Sequence, residues 1–241
     1  AGYVGTLDPL ASGFLPIALG KSTKTIKYLS NCDKEYVFEV TWGMHSSTGD
    51  LEGEIKKYNK NYPSLEQIKN TVENFIGDYD QVPHKFSSKK VNGKKAYEFA
   101  RKKIHIDLKK EKKKISDLKI INQISESKTF FYIKCSSGTY IRSLAEDMAK
   151  TLNTFGLVSS LRRVGFGNLD KKLISLDYLL SLVHIECFLS VLKPIEKVFK
   201  EFNEIHLDMN EFALILNGRP VEMSKITDPC VDLAFAKFKN E

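Results

Sequence analysis

The sequence is poor in cysteine and spaces the few it has without a pattern. Cys32, Cys135, Cys187 and Cys230 are the only four in 241 residues, and no two form a C-x-x-C pair. That excludes a disulfide framework and a zinc ribbon by their usual signatures and suits a reducing cytoplasm. Long hydrophobic runs are lacking too. The most apolar stretch, Leu179 to Leu192, is broken by His184 and Glu186 and is too short to span a bilayer; no signal peptide is visible. The five His show no H-E-x-x-H or paired spacing, so no metal centre is expected and each reads as a core or surface residue. Gly20-Lys21-Ser22 fails as a phosphate-binding loop, because Leu15 stands where that signature needs glycine. There is no internal repeat and no Pro-rich linker. The chain opens Ala1-Gly2-Tyr3 without Met, so its native start is expected upstream.

What is present is ordinary globular composition, with 42% hydrophobic and 28% charged residues. Length predicts one large domain, or one with a small appendage, able to bury roughly 70–75% of its extended surface. Charge is the first informative feature. Lys and Arg number 37 against 30 acids, a formal +7. Between Lys85 and Lys119 there are fourteen Lys or Arg and four acids, a net of +10, so the rest of the chain carries −3. Runs such as Lys109-Lys110-Glu111-Lys112-Lys113-Lys114 are often solvated decoration. Here Tyr97, Phe99 and His105 interleave with the cations and Gly93 marks a turn, which favours a surface that tracks phosphates.

Periodicity places the elements. Phe14–Leu19 reads as a short buried strand, and Ser22 as the cap of a helix through Leu29. Lys34–Trp42 alternates like a strand, Met44–Gly53 reads as a polar loop, and Ser64 with Gln67 forms a capping box for a helix through Phe75. A short helix over Lys94–Lys102 sets Tyr97 and Arg101 on one face. Strands follow over Ile115–Ser125 and Thr129–Ser136, then an amphipathic helix over Tyr140–Leu152. More strand leads to Leu169, helices occupy Ser175–Lys200, and the tail holds a helix near Glu211–Leu216. The fold class is α+β, a mixed sheet with interspersed helices.

Two segments carry chemistry. In Gly5-Thr6-Leu7-Asp8-Pro9-Leu10-Ala11-Ser12-Gly13, Pro9 confines Asp8 to extended backbone, and two glycines frame a tight turn. A carboxylate held in a rigid apolar loop suits nucleophilic or general-base catalysis; an aspartate capping its own turn is the plainer alternative. In Gly138-Thr139-Tyr140-Ile141-Arg142 the arginine enters the first turn of a helix, where it opposes the helix dipole. A buried carboxylate partner would account for it, and so would an ordinary surface position.

Taken together, these residues resemble the bacterial tRNA pseudouridine-55 synthase (TruB-type) family. Gly5 through Pro16 matches its catalytic-loop motif, Lys34-Glu35-Tyr36 its tyrosine strand, and Gly43–Gly53 the polar loop after it. Val82-Pro83 through Tyr97-Glu98-Phe99-Ala100-Arg101 is similar to the segment leading into its RNA-gripping insertion, and Gly138–Arg142 and Leu161-Arg162-Arg163 follow in order. The likeness covers about residues 2–180. It implies the pseudouridine synthase fold, a mixed, largely antiparallel sheet flanked by helices. The catalytic domain would occupy 1–180, with the basic insertion at about 85–119. A helical linker and a short C-terminal appendage would fill 181–241.

The resemblance implies Asp8 as nucleophile, Arg142 as its ion-pair partner, and Tyr36 stacking on the target base and aiding proton transfer. Tyr140 and Leu161 would line the base pocket. Tyr3, where the family usually has His, would support the flipped RNA loop. Lys85, Lys89, Lys90, Lys94, Lys95 and Arg101 would contact the RNA backbone. The implied partner is the T-arm of tRNA and the implied protein a monomeric cytoplasmic enzyme, needing no cofactor and no metal. The family's N-terminal strand and Lys-Pro-x-Gly segment are missing here. An RNA-binding module of the same fold that no longer catalyses is the second reading; the intact Asp8, Tyr36 and Arg142 weigh against it.

Overall fold

Alternating side chains build the central sheet. The computed structural model describes residues 1–58, 62–195, 198–199, 203–222 and 234–238, so Cys230 lies outside the described residues. The described chain forms two compact units, residues 1–173 and 174–241.

The first unit begins with β1 (Gly2–Tyr3), β2 (Ala11–Gly13) and β3 (Ile17–Ala18), then a 3-10 turn and the short α1 (Ile26–Leu29). The strand predicted over Phe14–Leu19 is divided: Pro16 interrupts it, Phe14 is buried, and Ile17 is exposed and pairs with Tyr3. Ser22 caps nothing; it lies inside the 3-10 turn. Next come β4 (Lys34–Trp42) and a small hairpin, β5 (Met44–Ser46) with β6 (Ile55–Lys57), in place of the predicted plain loop. After α2 (Leu65–Glu73), whose Ser64–Gln67 capping box is complete, follow β7 (Gly77–Gln81), the hairpin β8 (Lys90–Val91) and β9 (Lys94–Lys95), and α3 (Ala96–Arg101). The unit closes with β10 (Glu111–Ser125), β11 (Lys128–Cys135), α4 (Ile141–Thr151) and β12 (Gly156–Phe166).

Six strands make one sheet in the order β2-β12-β4-β11-β10-β7. Only β2 runs parallel to its neighbour, so the sheet is mixed and largely antiparallel. Along β11, Thr129, Phe131, Ile133 and Cys135 are buried while the residues between them are half-exposed, the period-two signature of a sheet with one covered face. Helices α2 and α4 supply that cover, with Ile68, Leu144 and Met148 meeting Phe38, Val40, Trp42 and Phe131. Phe38 stacks on Phe131 at 5.2 Å, and the Trp42 indole N–H donates to Thr129 Oγ1 at 3.0 Å, so the one tryptophan leaves no donor orphaned.

Lys34 opens β4 and is almost fully buried. Its ammonium donates to the Ser30 and Cys32 carbonyls and lies over the Phe166 ring. Burial nevertheless pulls its pKa down to about 8 from 10.5. Between those values the unfolded chain binds the proton that the folded chain has released, so stability rises with pH across that window. We expect the melting temperature to climb over that range, and Lys34→Met to flatten the climb.

The second unit holds α5 (Leu176–Ser181), α6 (Ile185–Ser190), β13 (Asn203–His206), α7 (Met209–Leu216) and β14 (Ala234–Lys237). Here β13 and β14 pair in parallel, and Phe212 stacks on Phe238 at 4.3 Å. Among the described residues no helix is long and apolar enough to cross a membrane.

Candidate active site

Arg163 pins the loop that carries Asp8 at both ends. Its side chain, 1% exposed, donates from Nε to the Phe14 carbonyl at 2.6 Å and from Nη2 to the Gly5 carbonyl at 2.8 Å. At Gly13 the chain crosses β12 so closely that a Cβ would stand 2.2 Å from the Arg163 oxygen, and φ is +98°, so only glycine fits. Between these anchors Ala11 N–H donates to the Asp8 carbonyl at 2.8 Å, closing a turn with Pro9 at its second position. The backbone therefore satisfies the turn, and the Asp8 carboxylate is left for another partner.

That partner is Arg142. Its Nε donates to Asp8 Oδ2 at 2.8 Å and Nη2 to Oδ1 at 3.0 Å, a two-pronged ion pair that fixes the carboxylate rotamer. The aspartate side chain is 34% exposed and the arginine 5%, so the pair presents its anionic end outward. The rest of the guanidinium is also enclosed. Nη1 donates to the Thr48 carbonyl at 2.9 Å and Nη2 to the Phe86 carbonyl at 3.1 Å. Asp50, 2% exposed, stands 3.6 Å from Nη1 as a second carboxylate. A helix-start arginine pays its dipole mismatch through this cluster.

Sequence reading singled out Asp8 and Arg142 but not Asp50, Thr48, His84 or Phe86. The signal for Asp50 was its place in the polar loop Ser46-Ser47-Thr48-Gly49-Asp50. Thr48 Oγ1 donates to its Oδ1 at 2.5 Å and Glu52 N–H donates to the same oxygen at 3.0 Å. Nothing in the sequence announces that Phe86 would offer its carbonyl.

Tyr36 lies on β4 directly across from Arg163 on β12 and Ile133 on β11. Burial pushes its hydroxyl up to about 12, with the Asp8 carboxylate adding to the rise and the nearby Arg163 guanidinium opposing it. It is therefore a phenol at neutral pH, able to donate and to accept. Leu161, 5% exposed, joins the main core with Leu10, Ala11 and Tyr36 packed against the same cluster. Tyr140 is the residue before α4; its N–H and carbonyl are both held by the Gln81 side chain at 2.7 and 2.9 Å. Tyr3, 54% exposed on β1, makes no hydrogen bond with Asp8, Tyr36 or Arg142.

The basic window is not one loop. Lys90, Lys94 and Lys95 sit on the β8–β9 hairpin; Lys95 and Arg101 approach the Tyr97 ring at 5.6 and 5.3 Å. Lys85 lies over Phe86 at 5.9 Å, and Lys89 forms an ion pair with Glu111. Residues from Glu111 onward belong to the central sheet. There Lys112 pairs in register with Asp80 and Lys114 with Asp78, opposite charges facing across strands. Lys113 is 11% exposed and tied to Glu111 at 2.9 Å. Residues 85–119 thus span the β8–β9 hairpin, α3 and the first part of β10. Among the described residues no group of three or more His, Cys, Asp or Glu could hold a metal ion.

Residues 1–141 match the family model described as the N-terminal domain of TruB family pseudouridylate synthases. The chain belongs to the TruB family. Over 221 residues, 91% of this chain and 71% of the relative, it is 36% identical to tRNA pseudouridine synthase B of Caulobacter vibrioides. It is 37% identical to that of Ehrlichia canis, over 94% of this chain and 76% of the relative. Identity reaches 44% with the Brucella ovis protein of the same name, over 68% of this chain and 51% of the relative. Among solved structures, an H/ACA RNP bound to a substrate RNA containing 2'-deoxyuridine is similar at TM-score 0.65 and 22% identity, over 91% of this chain. A Cbf5-Nop10-Gar1 complex is similar at TM-score 0.64 and 23% identity, over 90% of this chain. This chain spans 58% of the matched chain in each, and the likeness establishes the pseudouridine synthase fold. As a TruB-family protein it is an enzyme of the class that isomerises uridine to pseudouridine.

Proposed function

We propose that this chain isomerises the uridine at position 55, in the T-loop of tRNA, to pseudouridine. The observation that carries the reading is the two-pronged Asp8–Arg142 pair, supported by TruB-family relatives named for a tRNA reaction. The isomerisation breaks the N1–C1′ bond of the target uridine, turns the uracil, joins C5 to C1′, and releases the C5 proton while N1 takes one up; it needs neither redox nor hydrolysis. Asp8 is the nucleophile, adding covalently to the base or sugar and leaving when the new bond has formed. Arg142 holds it in line. Tyr36 replaces part of the stacking lost when the uridine leaves its helix and assists the proton transfers. Tyr140 and Leu161 border the base, and Tyr3 supports the flipped RNA loop. Residues 1–180 form the catalytic domain and 181–241 the linker and C-terminal appendage of a monomeric cytoplasmic enzyme.

Tritium release from tRNA carrying 5-tritiated uridine tests the reaction. We expect stoichiometric release and one new pseudouridine in the T-loop; tRNA binding without release would return the chain to the binding-module reading. Lys85, Lys89, Lys90, Lys94, Lys95 and Arg101 meet the phosphates. Because Asp78 and Asp80 face Lys114 and Lys112, the hairpin cations carry more of the salt dependence. Neutralising Lys90, Lys94 and Lys95 together is expected to flatten the log–log salt slope of tRNA binding by about 2 to 3. The double neutralisation of Lys112 and Lys114 should change it less, and single-turnover chemistry at saturation should stay near wild type in both. A slope unmoved by the triple change would make the hairpin charge decoration.

A further inference from the structure

Behind Arg142, away from Asp8, lies a titratable pair that the reaction leaves unused, a buried histidine and a partly exposed glutamate. His84 is 4% exposed, and Glu146, one turn beyond Arg142 on α4, faces its Nε2 at 3.7 Å. The other ring nitrogen turns toward the guanidinium. Phe86 N–H donates to Nδ1 at 3.2 Å, and Arg142 Nη1 stands 3.3 Å from the same atom. A backbone amide and a guanidinium can only donate. Nδ1 is therefore the bare nitrogen, and the ring proton sits on Nε2, toward the Glu146 carboxylate. Gly49, at φ +73°, lets the polar loop close over this pair: a Cβ there would meet both Glu146 Oε1 and His84 Nε2 at 3.1 Å. Burial raises the Glu146 pKa, but His84 facing it, with Lys150 and His45 nearby, brings it below its ordinary value. The charged groups around the ring are thus Arg142 and Glu146 from α4, with Asp8 and Asp50 beyond the guanidinium.

We infer that His84 is a positioning residue for Arg142, and that Glu146 selects the tautomer in which His84 can accept from the guanidinium. The Thr48 carbonyl, the Phe86 carbonyl and His84 Nδ1 bound the inner side of the fork, while Asp8 takes its outer edge. Losing the imidazole acceptor frees Nη1 to swing toward Asp50 and pull the fork off Asp8. A ring with its proton on Nδ1 would oppose one donor to another and do the same.

The inference rests on the proposed reaction for its kinetics alone; its proton placement is readable without substrate. In full-length protein labelled with nitrogen-15 at histidine, ring nitrogen shifts should show His84 as the Nε2–H tautomer, and Glu146→Leu should move it toward a mixture. The Nδ1–H form in the wild type would overturn the inference. In single-turnover assays at saturating tRNA, His84→Phe should lower the rate about tenfold with tRNA Kd within about twofold. His84→Asn, whose Oδ1 can take the place of Nδ1, should recover most of that loss. A rate unchanged in His84→Phe, or lost equally in His84→Asn, would reduce the ring to packing and overturn it. Wild-type protein with the Nε2–H tautomer but no tritium release would refute the proposed reaction while supporting the placement of the proton.

Discussion

Asp8→Asn is expected to lower pseudouridine formation by on the order of 10⁴-fold or more, while tRNA affinity stays within a few-fold. Asparagine keeps the volume and one acceptor, but it cannot add covalently and be released again as a carboxylate. The loop should survive the change, because its anchors do not involve the side chain. Arg163 holds the Phe14 and Gly5 carbonyls, and the Asp8 carbonyl closes its turn with Ala11 N–H. Arg142 is not left without an anion either, since Asp50 remains 3.6 Å away. A small change in melting temperature beside a large loss of rate is the expected pair of results. If Asp8→Asn still turned over, another group would have to be the nucleophile.

The second large effect concerns Arg142. The Arg142→Lys variant should slow single turnover by about 10²-fold and weaken tRNA binding much less. Lysine has three donors on one nitrogen and cannot span both oxygens of Asp8. It also cannot serve the Thr48 and Phe86 carbonyls and His84 at once, so buried acceptors are left unmade, each costing about 1–3 kcal/mol. The Arg142→Met variant goes further and leaves Asp50 buried, 2% exposed, beside no cation. Removing one partner of a buried pair costs about 3–5 kcal/mol, so this variant should show a clearly lower unfolding midpoint. Equal losses of binding and rate in Arg142→Lys would argue that the arginine holds the fold and not the nucleophile.

Local pattern was a good guide where one physical preference dominated. The alternation in Lys34–Trp42 and Thr129–Ser136 became β4 and, one residue earlier, β11 (Lys128–Cys135), because only one register buries both Phe38 and Phe131. The Ser64–Gln67 box became a complete cap, since both of its hydrogen bonds form within four residues. It failed where the deciding contact was distant. Four charged residues, Glu111 to Lys114, have little strand preference, yet they extend β10 because β7 offers ladder partners. Phe14–Leu19 is apolar enough for one strand, but Pro16 interrupts it, and the segment is shared between β3 and the core. Met44–Gly53 looked like loop because its polar residues serve Asp50 and the β5–β6 turn.

The sequence by itself determined the rigid Asp8 loop, the arginine at a helix start, the tyrosine on a strand and the concentration of positive charge. Each of these is a local matter of backbone restriction, periodicity or composition. Only the tertiary structure decided what they do for one another. Asp8 and Arg142 are separated by 134 positions, and whether a turn aspartate caps itself or meets a guanidinium depends on where β12 sets the loop and where α4 begins. The net charge shows the same division. Counting reveals the cations, but cross-strand register alone reveals that Asp78 and Asp80 face some of them. Coulombic energy depends on separation in space, and separation along the chain does not specify it.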